Sequence, residues 1–300
     1  MLRLNADKIV VAASVLGDEE DVRCNQQHID LLTLKANHEE ADTRFVLHCV
    51  ESRSSTIVIA ARDTDIIMLL LAHYHHFPEG QKVFVTMGNH MYLDIQFLSQ
   101  KLGPQVCAGL LLAHALTGCD AVSFMYGIGK LTVVKVLLAN PDLLSGITLS
   151  PQLSRQHRVR MERFVCLCYG HNELRTLDEV RAQMLFSCSK PEQLPMTTDA
   201  FGPHSNRGFY VGRMWECAID SHPNLPSPTA PGAGWYDNEG QLAPITMTKE
   251  SIPKAIKEIQ SCACAKGCQT LRCRCFREGL KCTRLCHRKL PVGVCKNCLE

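Results

Sequence analysis

Five carboxylates in the first half of the chain, Glu40, Asp42, Asp63, Asp65 and Asp120, stand where acids could do chemistry. Asp63 and Asp65 follow directly on Thr56-Ile57-Val58-Ile59-Ala60-Ala61, an apolar, largely β-branched run that predicts a strand buried on both faces. Open α/β sheets keep their sites at the carboxyl ends of such strands. Two aspartates there repel each other and stabilise no core, but they suit a hard cation such as Mg²⁺ or Mn²⁺. Four or more carboxylates holding two divalent cations about 3.5–4 Å apart are what a two-metal phosphodiesterase uses. Helix-end chemistry is the competing account. Glu39 and Glu40 in a first helical turn suit the macrodipole, Asp63 and Asp65 could serve as turn residue and cap, and Asp120 could make an Asx-turn.

The second constellation is sulfur. Of the 17 cysteines, nine crowd into the end of the chain as Cys262, Cys264, Cys268, Cys273, Cys275, Cys282, Cys286, Cys295 and Cys298. Nine thiolates do not divide into whole Cys₄ sites, yet they satisfy about three tetrahedral zinc ions if three sulfurs bridge. The same stretch holds nine Lys/Arg against one acid, Glu278, while the whole chain is only +2, so residues 1–261 are net acidic. The basic end predicts a polyanionic partner; the acidic body does not. Clustered thiols without a secretory leader predict a reducing, nuclear compartment, and no apolar run reaches membrane-span length.

The elements that must position these residues follow from periodicity and punctuation. Strands are predicted over residues 8–15 and 56–61, and a hairpin over 82–87 and 91–94. Helices are predicted over residues 38–50, 66–75, 96–102, 104–116 (with Pro104 at its first position) and 131–139. Beyond Pro151 helices dominate, over 152–169, 177–187 and 206–219. Four prolines between His222 and Gly234 read as a linker or ordered loop, and a short helix over 252–260 leads into the cysteines. The chain therefore divides into an α/β domain (1–150) with a mainly parallel sheet flanked by helices, a helical extension (151–220), a Pro/Gly-rich linker (221–250) and a small cysteine-rich zinc module (251–300). His73-Tyr74-His75-His76 ends a helix, Cys166 and Cys168 read as small core residues, and Trp215 and Trp235 as packing anchors.

HEEADTR, ARDTDIIML and LTGCDAVSFMYGIGK resemble, in this order, the acidic motifs of the flap-endonuclease (XPG-type) 5′-nucleases of the PIN-like superfamily. The resemblance covers roughly residues 38–140. It implies an acid pair on a helix (Glu40, Asp42), a D-x-D behind a central strand (Asp63, Asp65) and an aspartate before a helix-hairpin-helix-like turn (Asp120). It further implies that the amides of Gly127 and Gly129, with Lys130, hold a nucleic-acid phosphate. The family's aspartate on the first strand has no counterpart before residue 38, Asp42 stands where Glu is usual, and no Pro follows the G-I-G. SCACAKGC, RCRCFREGLKC and TRLC resemble the tesmin-type CXC module, whose members bind zinc and often DNA. That resemblance makes the nine cysteines metal ligands and Arg272, Arg274 and Lys281 nucleic-acid contacts. The gap from Cys286 to Cys295 is longer than usual, with His287 as a possible substitute ligand, and Arg272 and Lys281 occupy positions where DNA-binding members carry tyrosines. Together the two halves resemble a class of mobile-element-associated animal proteins that brings no activity to transfer. The function expected is a divalent-metal-dependent nucleic-acid phosphodiesterase with a zinc tail. The alternative is an inactive PIN-like scaffold whose zinc module binds nucleic acid, chromatin or protein.

Overall fold

The structure is a computed structural model that describes residues 10–13, 21–26, 31–38, 40–88, 91–185, 191–250, 262, 264, 267–282, 286 and 295–297. It is a mixed α/β arrangement of helices and small sheets, with a C-terminal cysteine cluster.

Its organising element is a helix. Pro104–Thr117 (α4) begins on Pro104, whose missing N–H costs nothing in a first turn, and reads PQVCAGLLLAHALT. From Gly109 to Thr117 every residue is buried, so apolar side chains surround this helix on all sides. Its neighbours are Thr64–His73 (α2), Lys130–Ala139 (α5) and Thr198–Glu216 (α8). α8 approaches it closely through glycines. A Cβ on Gly208 would stand 3.0 Å from Leu116, and one on Gly212 would meet Thr148 at 3.0 Å and Leu112 at 3.5 Å. Arg155–Cys168 (α6) and Leu177–Met184 (α7) join the same packing, and the core runs unbroken from Val46 to Ala218. The buried Glu162 carboxylate pins these helices together, accepting the Leu177 N–H at 2.9 Å and the Thr198 hydroxyl at 2.6 Å.

The sheets are smaller than the sequence suggests. Val11–Ala13 (β1) pairs antiparallel with Val22–Cys24 (β2), the latter where no strand is predicted. Thr56–Ile59 (β3) runs parallel to Lys82–Thr86 (β4), and β4 pairs antiparallel with Tyr92–Asp94 (β5), as the hairpin reading predicts. One mixed three-stranded sheet thus stands in place of a mainly parallel one. β3 lies at its edge, so Thr56 is exposed and Val58 is 54% exposed, not buried on both faces. Between the prolines and the cysteines, Trp235–Asn238 (β6) and Gln241–Pro244 (β7) form a hairpin where only a linker is predicted. Its turn places Glu239 (φ 56) and Gly240 (φ 82) in the left-handed region, as a two-residue type I′ loop requires. The helix predicted over 252–260 lies outside the described residues.

Three helix starts set up the candidate site. Ala41–Glu51 (α1) begins beside Glu40, α2 begins at Asp63, and α5 begins at Lys130. Ile95–Leu102 (α3) is capped by Asp94, whose carboxylate accepts the Phe97 N–H at 2.9 Å.

Candidate functional site

Glu40 occupies the N-cap position of α1, yet its carboxylate makes no capping bond. Instead its Oε2 accepts the indole N–H of Trp215 at 3.0 Å, across 175 residues of sequence. Asp42 sits in the first turn of the same helix. Asp63 is the N-cap of α2 and accepts the Asp65 N–H at 3.0 Å, so the helix-cap account holds for this residue. Asp65 turns its carboxylate to His114 on α4, with Oδ1 2.6 Å from Nε2. His114 is only 3% exposed and lies 5.5 Å, centroid to centroid, from the Trp215 ring. Asp120 stands on the exposed turn between Cys119 and Val122, and no described residue donates a hydrogen bond to its carboxylate, so the Asx-turn account does not hold.

The fold brings these acids into one electrostatic field. Burial raises the pKa of Glu40 above the usual carboxylate value, and the charges of Asp42, Asp65 and Asp120 push it further, against the bond from Trp215. Burial likewise raises Asp42, helped by Asp63, Asp65 and Asp120. Asp65 moves the other way, held down first by its bond to His114. This pattern of like charges pushing two acids up, while a buried imidazole holds a third ionised, is an arrangement a hard cation would relieve. The acids are more loosely spaced than a finished metal shell. Among the described residues, only cysteines form groups of three or more whose ligand atoms all lie within 4.8 Å.

The loop behind Asp120 is closed at its neck. Lys130 Nζ donates to the Gly118 carbonyl at 2.9 Å; burial lowers its pKa, and the charge of Asp65 works against that shift. Gly118 has φ 128, and a Cβ there would lie 2.7 Å from the Phe124 backbone, so no other residue fits without a shift. The Lys130 side chain thus closes this loop on the acidic side. Gly127 (φ 78) and Gly129, the N-cap of α5, stay open, with nothing within 4 Å of a Cβ built on either. Sequence reasoning takes Trp215 for a packing anchor and misses His114. Neither pairing has a local signal, because each partner comes from a distant helix.

In the cysteine cluster the sulfurs meet in two tetrads, Cys262/Cys275/Cys282/Cys286 and Cys262/Cys268/Cys273/Cys282. Sulfurs approach one another closely: Cys262–Cys268 at 3.7 Å, Cys262–Cys282 at 3.9 Å, Cys273–Cys282 at 3.8 Å and Cys275–Cys286 at 3.6 Å. Four sulfurs about 2.3 Å from a tetrahedral zinc lie about 3.8 Å apart, so these spacings match a zinc–thiolate centre, and they are far too long for disulfides. The cluster can hold zinc, and Cys262 and Cys282 belong to both tetrads. Asn297 Nδ2 donates to Cys282 Sγ at 3.3 Å and to the Leu280 carbonyl at 2.9 Å, which orients a shared sulfur. Cys264 and Cys295 pack against this core, while Cys298 and His287 lie outside the described residues. Arg272 and Lys281 are exposed, whereas Arg274 leans 3.5 Å from Glu278.

No family model, curated protein or solved structure matches this chain. Among the described residues, no helix is long and apolar enough to cross a membrane. The functional reading therefore stands on these residues and their geometry.

Proposed function

We propose that this chain is a divalent-metal-dependent phosphodiesterase acting on nucleic acid, with a C-terminal zinc module that holds the substrate. One observation carries the reading: Glu40, Asp42, Asp63, Asp65 and Asp120, from three separate segments, share one electrostatic field at the starts of two helices and on a glycine-closed loop. Such a set suits Mg²⁺ or Mn²⁺, which supplies an activated water and charge neutralisation at the leaving oxygen. The chain's own residues have separate tasks. Trp215 and His114 orient Glu40 and Asp65, and Lys130 fixes the loop that presents Asp120. The open turn at Gly127 and Gly129 offers backbone amides to a phosphate.

The zinc module fits the substrate-holding role. Nine thiolates with about three zinc ions form a compact anionic core, and Arg272, Arg274 and Lys281 then offer contacts to nucleic-acid phosphates, DNA in particular. A nuclear setting follows from that partner and from the reduced thiols.

A second reading has its own support. Asp63 is a working helix cap and, among the described residues, no three acids bring carboxylate oxygens within 4.8 Å of one another, as in a scaffold whose zinc module alone binds nucleic acid or chromatin. Incubating the zinc-loaded chain with labelled flap, hairpin and single-stranded substrates separates the two. Cleavage that requires Mg²⁺ and vanishes in Asp63→Ala supports the phosphodiesterase; binding without cleavage leaves the scaffold.

A further inference from the structure

Arg207, on α8, is a buried cation that none of the roles proposed above uses. The residue is 9% exposed, and no carboxylate among the described residues pairs with it. Its Nη1 donates to two carbonyls, Ile245 at 2.9 Å and Gly234 at 3.3 Å, and its Nε and Nη2 make no hydrogen bond with any described residue. Burial lowers its pKa, and no acid offsets the effect. A guanidinium keeps its charge at any ordinary pH, and this one leaves Nε and Nη2 accessible to take an anion.

The surroundings show where that anion would go. Arg207 lines a cleft of about 460 Å³, together with the Gly118–Phe124 loop and Pro244. The guanidinium is held in place from the far side. Gly234 has φ 102, and a Cβ there would fall 2.6 Å from Arg207 Cγ, so glycine is what lets the hairpin close over the arginine. The Ile245 N–H donates to Gly234 at 2.9 Å, and the Asp199 carboxylate ties down the chain beyond by accepting the N–H groups of Thr248 and Lys249 at 2.7 and 2.8 Å. Phe124, 76% exposed, lines the same cleft and offers a face on which a base could stack.

We infer that Arg207 binds a phosphate group in the cleft it shares with Asp120. A guanidinium fork matches phosphate geometry, and a site with one fixed cation and open N–H donors has the chemistry for it. Phosphate binding stands on Arg207 alone. That the group is a nucleic-acid phosphate next to the scissile one rests on the function proposed above.

The test is calorimetric titration of the full, zinc-loaded chain without added Mg²⁺, using orthophosphate and thymidine 3′,5′-bisphosphate as probes. The expected result is binding that weakens about tenfold or more in Arg207→Met. Arg207→Lys keeps the charge and stem, serves if the Met variant fails to fold, and should weaken binding at least about threefold. Binding of the bisphosphate well above orthophosphate marks a nucleotide site; equal binding marks a free-phosphate site. Phosphate binding is read without Mg²⁺ and cleavage only with it, so failure of the nuclease reading and failure of this one are distinct. No binding of either probe, or binding unchanged in both Arg207 variants, overturns the inference.

Discussion

The two candidate metal sites are built in opposite ways. The cysteine cluster draws its ligands from one short stretch and holds sulfurs at 3.6–3.9 Å, close to the spacing a tetrahedral zinc imposes. The acidic site draws on α1, α2 and the loop after α4, and keeps its charges apart with partners from elsewhere, His114 and Trp215. On the proposed reading, the first would depend on its metal for shape. The second inherits its shape from a packed core and would stand without a cation, under electrostatic strain. The measurements below either break or sharpen that contrast.

Removing zinc should give the largest effect. A chelator would take the metal proposed to hold the module together, so nucleic-acid binding should fall by more than about tenfold while the unfolding transition of the body persists. Loss of both together would show that the two regions are not independent. Cys282 lies in both tetrads and Cys264 in neither, so Cys282→Ser should release more zinc than Cys264→Ser. Metal analysis of the intact chain should give about three zinc ions, and a value near one would refute shared thiolates.

Core damage comes next, and it should spare the module. Leu112 is fully buried on α4 against α8, so Leu112→Ala should destabilise the body by about 2–5 kcal/mol in urea unfolding, with zinc content unchanged.

Smaller effects read the strain in the acidic site. Burial and like charges raise the pKa of Asp42, so its ionisation costs the folded state. That raised value means the folded state holds the proton more tightly than the unfolded chain does. Its favourable contribution is therefore complete below the ordinary carboxylate pKa and is lost as pH rises through the higher folded value. Asp42→Asn should raise the melting temperature of the metal-free body at pH 7, by about 2–4 °C, and the gain should close as pH falls below the ordinary aspartate value. Asp65 has the opposite sign. His114 lowers its pKa, so its contribution is present at neutral pH and is lost as pH falls through the lowered value. The smallest change is expected at Arg272. Arg272→Ala should leave the fold within about 0.5 kcal/mol and reduce the salt dependence of DNA binding by about one unit of slope.

The contrast also explains what the sequence discloses. Local chemistry is legible: Pro104 opening α4, Asp94 capping α3, the β4–β5 hairpin and the cysteine spacing each need only neighbouring residues. Long-range partners are not. The run ahead of Asp63 looks like a strand buried on both faces, but its place at a sheet edge is set by what fails to pack outside it, and Val58 is left open. The burial belongs instead to α4, whose continuous apolar stretch carries no helical stripe to read. The prolines from 223 to 231 hide the hairpin that follows them, although Asn238-Glu239-Gly240 carries a turn signal. The acids themselves are visible, but their orienting partners lie 49 and 175 residues away.

Terbium luminescence tests the central claim most directly, because Tb³⁺ is a hard cation that emits when a nearby indole is excited, and Trp215 bonds to Glu40. The account predicts Tb³⁺ emission from the zinc-loaded chain that Mg²⁺ or Mn²⁺ displaces, that falls sharply in Asp65→Asn and Trp215→Phe, and that survives Trp235→Phe. Emission that is absent, or that persists unchanged in Asp65→Asn, would contradict it.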